Sequence, residues 1–224
     1  QRESGAPVFH ETDTAELEAL LDFRLTGAQT RAIRDIAADV SRDIPMGRIL
    51  VGDVGCGKTV CAAAAMLMAV RSGYQATLMA PTEILARQHA EDLIPLFLKL
   101  GIRCELLVGA MTASQKAKVR TRLAEGEIDI IIGTQALLTD TVEFPRLGLV
   151  VVDEQHRFGV EQRALLAKKG EHAHMLVMSA TPIPRSMALA LFGDLDMTRI
   201  DEIPPGRQKV DTFLVNESYR VRLD

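Results

Sequence analysis

Arg48-Ile49-Leu50-Val51-Gly52-Asp53-Val54-Gly55-Cys56-Gly57-Lys58-Thr59 runs from an apolar stretch through a glycine-rich turn into an alanine-rich segment. From Gly52 onward it matches the pattern G-x-x-x-x-G-K-[ST], and a strand before it with a helix after it is the setting that gives the pattern meaning. Glycines at these positions let backbone N–H groups turn inward around phosphate oxygens. A helix starting near Lys58 adds its positive end, Lys58 reaches the outer phosphates, and Thr59 offers a hydroxyl to Mg²⁺. Nucleotide binding by Gly52, Asp53, Val54, Gly55, Cys56, Gly57, Lys58 and Thr59 is therefore the first expectation.

Working outward, strand-length apolar runs alternate with helix-length segments along most of the chain. Strands are predicted at 48–52, 75–80, 103–108, 128–132, 148–153 and 175–179, and helices at 58–71, 83–100, 113–124, 160–168 and 184–192. Runs such as Leu149-Val150-Val151-Val152 and Ile130-Ile131-Ile132 are apolar at successive positions, which suits strands covered on both faces. Helical crossovers between strands imply parallel pairing. The fold class is α/β, a mostly parallel sheet with helices on both faces. Residues 1–22 read as a polar tail with a short helix at 15–21. After Pro204-Pro205-Gly206 a final extended stretch at 210–215 reads as a linker leading to another unit.

Composition sets bounds but does not choose a function. The chain of 224 residues is 47% hydrophobic, enough for one full core, and no apolar run is long enough to cross a membrane. Cys56, Cys61 and Cys104 are odd in number and fit no metal or redox pair, which suggests a reducing, cytoplasmic setting. With a formal net charge of −4 and 4% aromatic residues, nucleic acid would have to be held by a few placed groups. Lys116, Lys118, Arg120 and Arg122 read as a solvated helix face. His10, His89, His172 and His174 have no evident partner.

The predicted strand ending at Val152 delivers Asp153-Glu154-Gln155-His156. Adjacent carboxylates closing a buried strand are costly unless a cation meets them. Mg²⁺ held by Asp153 answers that cost and leaves Glu154 to orient or deprotonate an attacking water. The bland alternative is an exposed acidic turn. Pro81-Thr82, Val108-Gly109 and Gly133-Thr134 also follow strands directly. Their threonines are natural helix caps, or else donors toward phosphate oxygens at the ligand-gathering end of a parallel sheet.

A phosphate loop, Asp153-Glu154-x-His156 and Ser179-Ala180-Thr181 together resemble superfamily 2 helicases. Leu25-Thr26-x-x-Gln29, with Phe23, resembles the adenine-reading Q-motif of that group. The finer resemblance is to RecG-type ATP-dependent DNA helicases. It rests on Ala80-Pro81-Thr82-Glu83-Ile84-Leu85-Ala86, on Asp153 through Arg163, and on Thr181-Pro182-Ile183-Pro184-Arg185. Gly193-Asp194-Leu195-Asp196 and Pro204-Pro205-Gly206-Arg207 agree as well. Gln155 and Gly206 set the chain apart from the translocase module of transcription-repair coupling factor. Cys56 departs from the pattern, which usually has Ser there.

The resemblance implies a RecA-like P-loop NTPase domain over 23–205, followed at 206–224 by a linker and the start of a second lobe. It implies ATP and Mg as cofactors, Phe23 and Gln29 at the adenine, Glu154, Asp153 and His156 as catalytic groups, and Ser179 and Thr181 as coupling residues. Thr82, Gly109 and Thr134 would touch the nucleic-acid backbone, and Arg157 and Phe158 read as a loop after the acidic motif, a weak candidate for handling DNA. Expected partners are branched or duplex DNA, the second RecA-like lobe and an N-terminal wedge domain of the same protein. The chain should act as a monomer without a membrane. This segment alone should be nearly inactive, since the arginine that meets the transferred phosphoryl group comes from a facing lobe. A nucleotide-binding scaffold that signals without hydrolysis is the rival reading, and Glu154 separates the two.

Overall fold

In the computed structural model, the described residues are 5–53, 57–153, 168–169, 172–180 and 195–200. They form helices α1 (Ala15–Glu18), α2 (Gly27–Val40), α3 (Lys58–Arg71), α4 (Glu83–Lys99) and α5 (Ala113–Ala124). The strands are β1 (Gly47–Val51), β2 (Gln75–Met79), β3 (Cys104–Leu107), β4 (Ile130–Gly133), β5 (Leu147–Asp153), β6 (His174–Ser179) and β7 (Asp196–Arg199). All seven strands join one sheet in the order β3-β4-β2-β5-β6-β1-β7, and every pairing is parallel. The expected fold class is thus observed. Among the described residues no helix is long and apolar enough to cross a membrane.

Pleating decides which side chain meets which layer. Leu50, Leu78, Ile130, Ile132, Val151 and Leu176 point to the face covered by α2, α3 and α4. Ile49, Val51, Ile131, Val150, Val152 and Val177 point to the other, where α5 contributes Val119 and Leu123. Residues adjacent along one strand are therefore both buried, on opposite faces, as the unbroken apolar runs require.

Three elements depart from the sequence expectation. Helix α2 was not anticipated, although Ala28, Ala32, Ile33, Ile36 and Val40 bury one face of it. Its start is a capping box in which the Thr26 hydroxyl accepts from the Gln29 N–H and the Gln29 side chain accepts from the Thr26 N–H. Strand β7 was missed because it is an edge strand with only Thr198 buried, so it carries no apolar run. The short helix predicted at 15–21 ends at Glu18. The predicted helices at 160–168 and 184–192 and the stretch at 210–215 fall wholly or almost wholly outside the described residues.

Residues 5–22 are packed against the sheet, where composition suggested a tail. Phe9 is 1% exposed, set against Tyr74 with ring centroids 5.5 Å apart and edge-on to His174 at 4.9 Å. His174, also buried, accepts from the Met46 N–H at Nδ1 (2.8 Å) and donates from Nε2 to the Pro7 carbonyl (2.6 Å). Glu16 and Arg71 pair through both carboxylate oxygens, at 2.6 and 3.1 Å. Gly148 makes room for this strap, because a Cβ there would lie 2.7 Å from Cβ of Tyr74 and 3.1 Å from the Phe9 ring.

A candidate nucleotide site at the carboxyl edge of the sheet

Strand β1 is held between β6 and β7, so the turn that follows it leaves from a fixed point. The Gly52 N–H donates to the Ser179 carbonyl at 3.1 Å, which extends the β1–β6 pairing into the loop. The loop ends at Gly57, whose φ of +83° is left-handed and suits glycine. Helix α3 then buries Cys61, Ala62, Ala63, Ala64, Ala65, Met66, Leu67, Met68 and Ala69. Four successive alanines let this helix sit close against α2 and the sheet, which fixes its N-terminus under the loop. Val54, Gly55 and Cys56 lie outside the described residues.

Lys58 folds back and donates from Nζ to the Gly52 carbonyl, with the Asp53 carbonyl at 3.4 Å. The ammonium thus spans the near end of the loop. Asp53 is exposed, and Thr59 is half-buried in the first turn of α3. Gln29 is fully buried, and besides closing the α2 cap its Nε2 donates to the Gly57 carbonyl at 3.4 Å. The amide therefore stitches the start of α2 to the end of the phosphate loop, a role that the sequence reading did not foresee. Phe23 is half-exposed just before that cap. The thiol of Cys61 lies 4.0 Å from the Gln29 carbonyl, and burial pushes the Cys104 thiol up to about 12, so neither is a ready nucleophile.

Asp153 closes β5 in register with Met178 of β6. By the pleat it shares the side of Val151, the face covered by α3 and α4. Its side chain is 12% exposed, and its Oδ2 lies 2.6 Å from Nε2 of His89, whose side chain is also 12% exposed. A carboxylate only accepts, so the imidazole donates. His89 is the main site feature missed from sequence. It was visible in the spacing: Thr82, Ala86, His89, Leu93 and Phe97 recur every three or four residues along the inner side of α4. Among the described residues no cluster of three or more His, Cys, Asp or Glu could hold a metal by itself. Glu154, His156, Arg157, Phe158 and Thr181 lie outside the described residues. Ser179 ends β6 buried, in register with Val51 directly before the loop.

Thr82, Gly109 and Thr134 fall at the same end of the sheet, one to three residues beyond a row in which Met79 and Leu107 both register with Gly133. Thr82 caps α4, its hydroxyl accepting from the Leu85 N–H at 3.3 Å. Thr134 precedes a short 3₁₀ turn (Gln135–Leu138) without any side-chain cap bond, so capping does not account for it. Gly109 is exposed, and its carbonyl accepts from Lys116 Nζ at 3.2 Å. The basic run on α5 is partly committed elsewhere: Arg122 pairs with Glu105 at 2.5 Å and with Glu127 at 3.5 Å.

A parallel sheet with a phosphate loop after β1 and an acidic strand end at β5 defines a RecA-like P-loop NTPase domain. The family model described as DEAD/DEAH box helicase matches residues 26–189, and the chain belongs to that family. Its relatives carry the RecG name. An ATP-dependent DNA helicase RecG of Aquifex aeolicus is 53% identical over 202 residues, 89% of this chain and 26% of that protein. The RecG of Escherichia coli is 43% identical over 229 residues, 97% of this chain and 33% of its own length. A solved structure of RecG bound to a three-way DNA junction superposes with a TM-score of 0.78 at 46% identity, covering 92% of this chain and 28% of the other. The DNA-bound helicase MrfA shares the fold alone, with a TM-score of 0.68 at 20% identity over 91% of this chain and 32% of that one. The RecG-type resemblance read from the motifs is thus borne out. The chain spans about a quarter to a third of the length of the curated relatives it matches.

Proposed function

We propose that this chain is the first, ATP-binding lobe of a DNA helicase or translocase that remodels branched DNA, such as stalled forks and junctions, in repair and recombination. The observation that carries the reading is a phosphate loop and an acidic strand end at the same edge of the sheet, with only β6 between them, in a chain about half identical to RecG helicases. That a RecG is seen on a three-way junction supports branched DNA as the substrate class. The rest of the protein would supply a second RecA-like lobe and a wedge domain. A monomer working in the cytoplasm fits this reading.

The residues fit a nucleotide with Mg²⁺. Thr59 and Asp153 offer a hydroxyl and a carboxylate, the hard oxygen donors that ion takes alongside phosphate and water. When bound, Mg²⁺ would neutralise charge on the outer phosphates. Gly52–Thr59 cradle the phosphates and Lys58 exchanges its loop carbonyls for phosphate oxygens. Phe23 and the helix cap that Gln29 closes border the adenine, Glu154 orients water, and Ser179, Thr181 and His156 relay the phosphate state. Thr82, Gly109 and Thr134 hold the nucleic-acid backbone without reading bases.

ATP turnover by the full-length protein on fork, duplex and single-stranded DNA tests the proposal. Wild type should be stimulated most by forks, while Glu154→Gln should bind ATP normally and lose about 10²-fold or more in turnover. Nucleotide binding by wild type without turnover on any DNA would instead favour the non-hydrolysing scaffold, and turnover that survives Glu154→Gln would remove Glu154 as the group that orients water.

A further inference from the structure

The contact between His89 and Asp153 plays no part in the roles given so far. Both side chains are almost withdrawn from water, the separation is 2.6 Å, and the donor comes from a different element than the acceptor. Short N–H···O⁻ bonds of this kind are stronger and more directional than neutral ones. Small residues on α4 bring it about: Ala86 and Ala90, both buried beside His89, let the helix approach the sheet. Thr82 fixes the start of the same helix, two turns or about 10 Å before His89.

We propose that His89 is a positioning residue that holds the Asp153 carboxylate in the orientation required to receive Mg²⁺ with the nucleotide. This rests on the nucleotide reading above. A carboxylate at a strand end rotates freely unless something fixes it, and groups that orient a metal-bound carboxylate are commonly worth 10–100-fold in metal affinity. Nε2 of His89 fixes one oxygen of Asp153 from the side of α4, while α3 presents Thr59 from its first turn. The helix that begins at the proposed DNA edge thereby ends its second turn on the Mg²⁺ carboxylate.

The test measures binding. A fluorescent ADP analogue is bound to the full-length protein in EDTA and then titrated with MgCl₂, for wild type, His89→Phe and His89→Gln. Phenylalanine keeps the bulk and loses the donor, whereas glutamine carries an amide N–H at a comparable reach. His89→Phe should need about tenfold or more Mg²⁺ for half-maximal tightening, with Mg²⁺-free affinity unchanged, and His89→Gln should recover most of the difference. A contact serving only to tether α4 would lower the melting temperature and leave the Mg²⁺ midpoint where it was, which overturns the proposal. Equal Mg²⁺ midpoints in wild type and both variants overturn it too, as does a Gln variant as impaired as Phe. If His89→Phe fails to fold, His89→Leu, which also lacks the donor, takes its place and is read in the same way against wild type and His89→Gln. Wild type that binds the analogue without any Mg²⁺ dependence overturns the proposal as well, whereas wild type that fails to bind the analogue would sink the nucleotide reading itself.

Discussion

Lys58 begins satisfied by the carbonyls of Gly52 and Asp53. An incoming phosphate must replace those carbonyl partners, so ammonium–carbonyl bonds give way to an ammonium–phosphate pair, a bond between two charged groups worth about 1.5–3 kcal/mol. Lys58→Ala should therefore weaken nucleotide binding about 10–100-fold in a calorimetric titration, and an unchanged affinity would remove Lys58 from the site. His174 makes a different kind of prediction. Burial pushes its pKa down, partly offset by the Pro7 carbonyl and by Asp39, and both ring nitrogens are engaged as only the neutral ring can manage. The unfolded chain thus takes up the proton first, at about pH 6.5. This contribution to stability is full above that pH and is lost as the pH falls below it, by at most about 1.4 kcal/mol per unit. Urea unfolding at pH 7.5 and 5.5 should show a larger loss for wild type than for His174→Gln, and equal losses would refute the assignment.

At the scale of elements, the strands written as unbroken apolar runs could be read from sequence, because burial on two faces leaves no other pattern. Helices α3 and α5 were legible to the residue, the first from its loop and the second from the threonine that opens it. Helix α2 was masked because Thr26 and Gln29 match two patterns at once, an adenine-reading motif and a capping box. Strand β7, paired on one side only among the described residues, left no trace, since such a strand needs no hydrophobic run. The His89–Asp153 pair was half legible: the helical spacing placed His89 on the inner side, but only the packing of α4 beside β5 supplied its partner. The strap at residues 5–22 was illegible because its anchors, Phe9 and Leu17, belong to no sustained strand or helix period and are separated by the polar run His10–Thr14. Gly148 gives the strap a handle. A methyl group there would press on Tyr74 and Phe9, so Gly148→Ala should cost about 1–3 kcal/mol in urea unfolding and expose the strap to protease. A variant as stable and as protease-resistant as wild type would mean that the strap is not held this way.

For the whole molecule, net charge and composition leave the function open, and what decides it is the assembly of strand ends from distant parts of the chain. Strand β1, which launches the phosphate loop, has β6 and β7 as its only sheet neighbours among the described residues, and both are made more than a hundred residues later. At about 5–20 residues per second, a ribosome needs on the order of ten seconds to supply them. For that interval the nascent loop has helix α3 behind it but no lateral pairing, with an apolar strand unprotected, the state that chaperones exist to shield. Stalled nascent chains ending between β5 and β6 should pass through a column of immobilised nucleotide, and chains long enough to free β7 from the exit tunnel should be retained. Retention of the shorter chains would show that the loop matures before its neighbours arrive. The strand order thus makes the site the last part of this lobe to become competent, although its signature is translated ahead of six of the seven strands described.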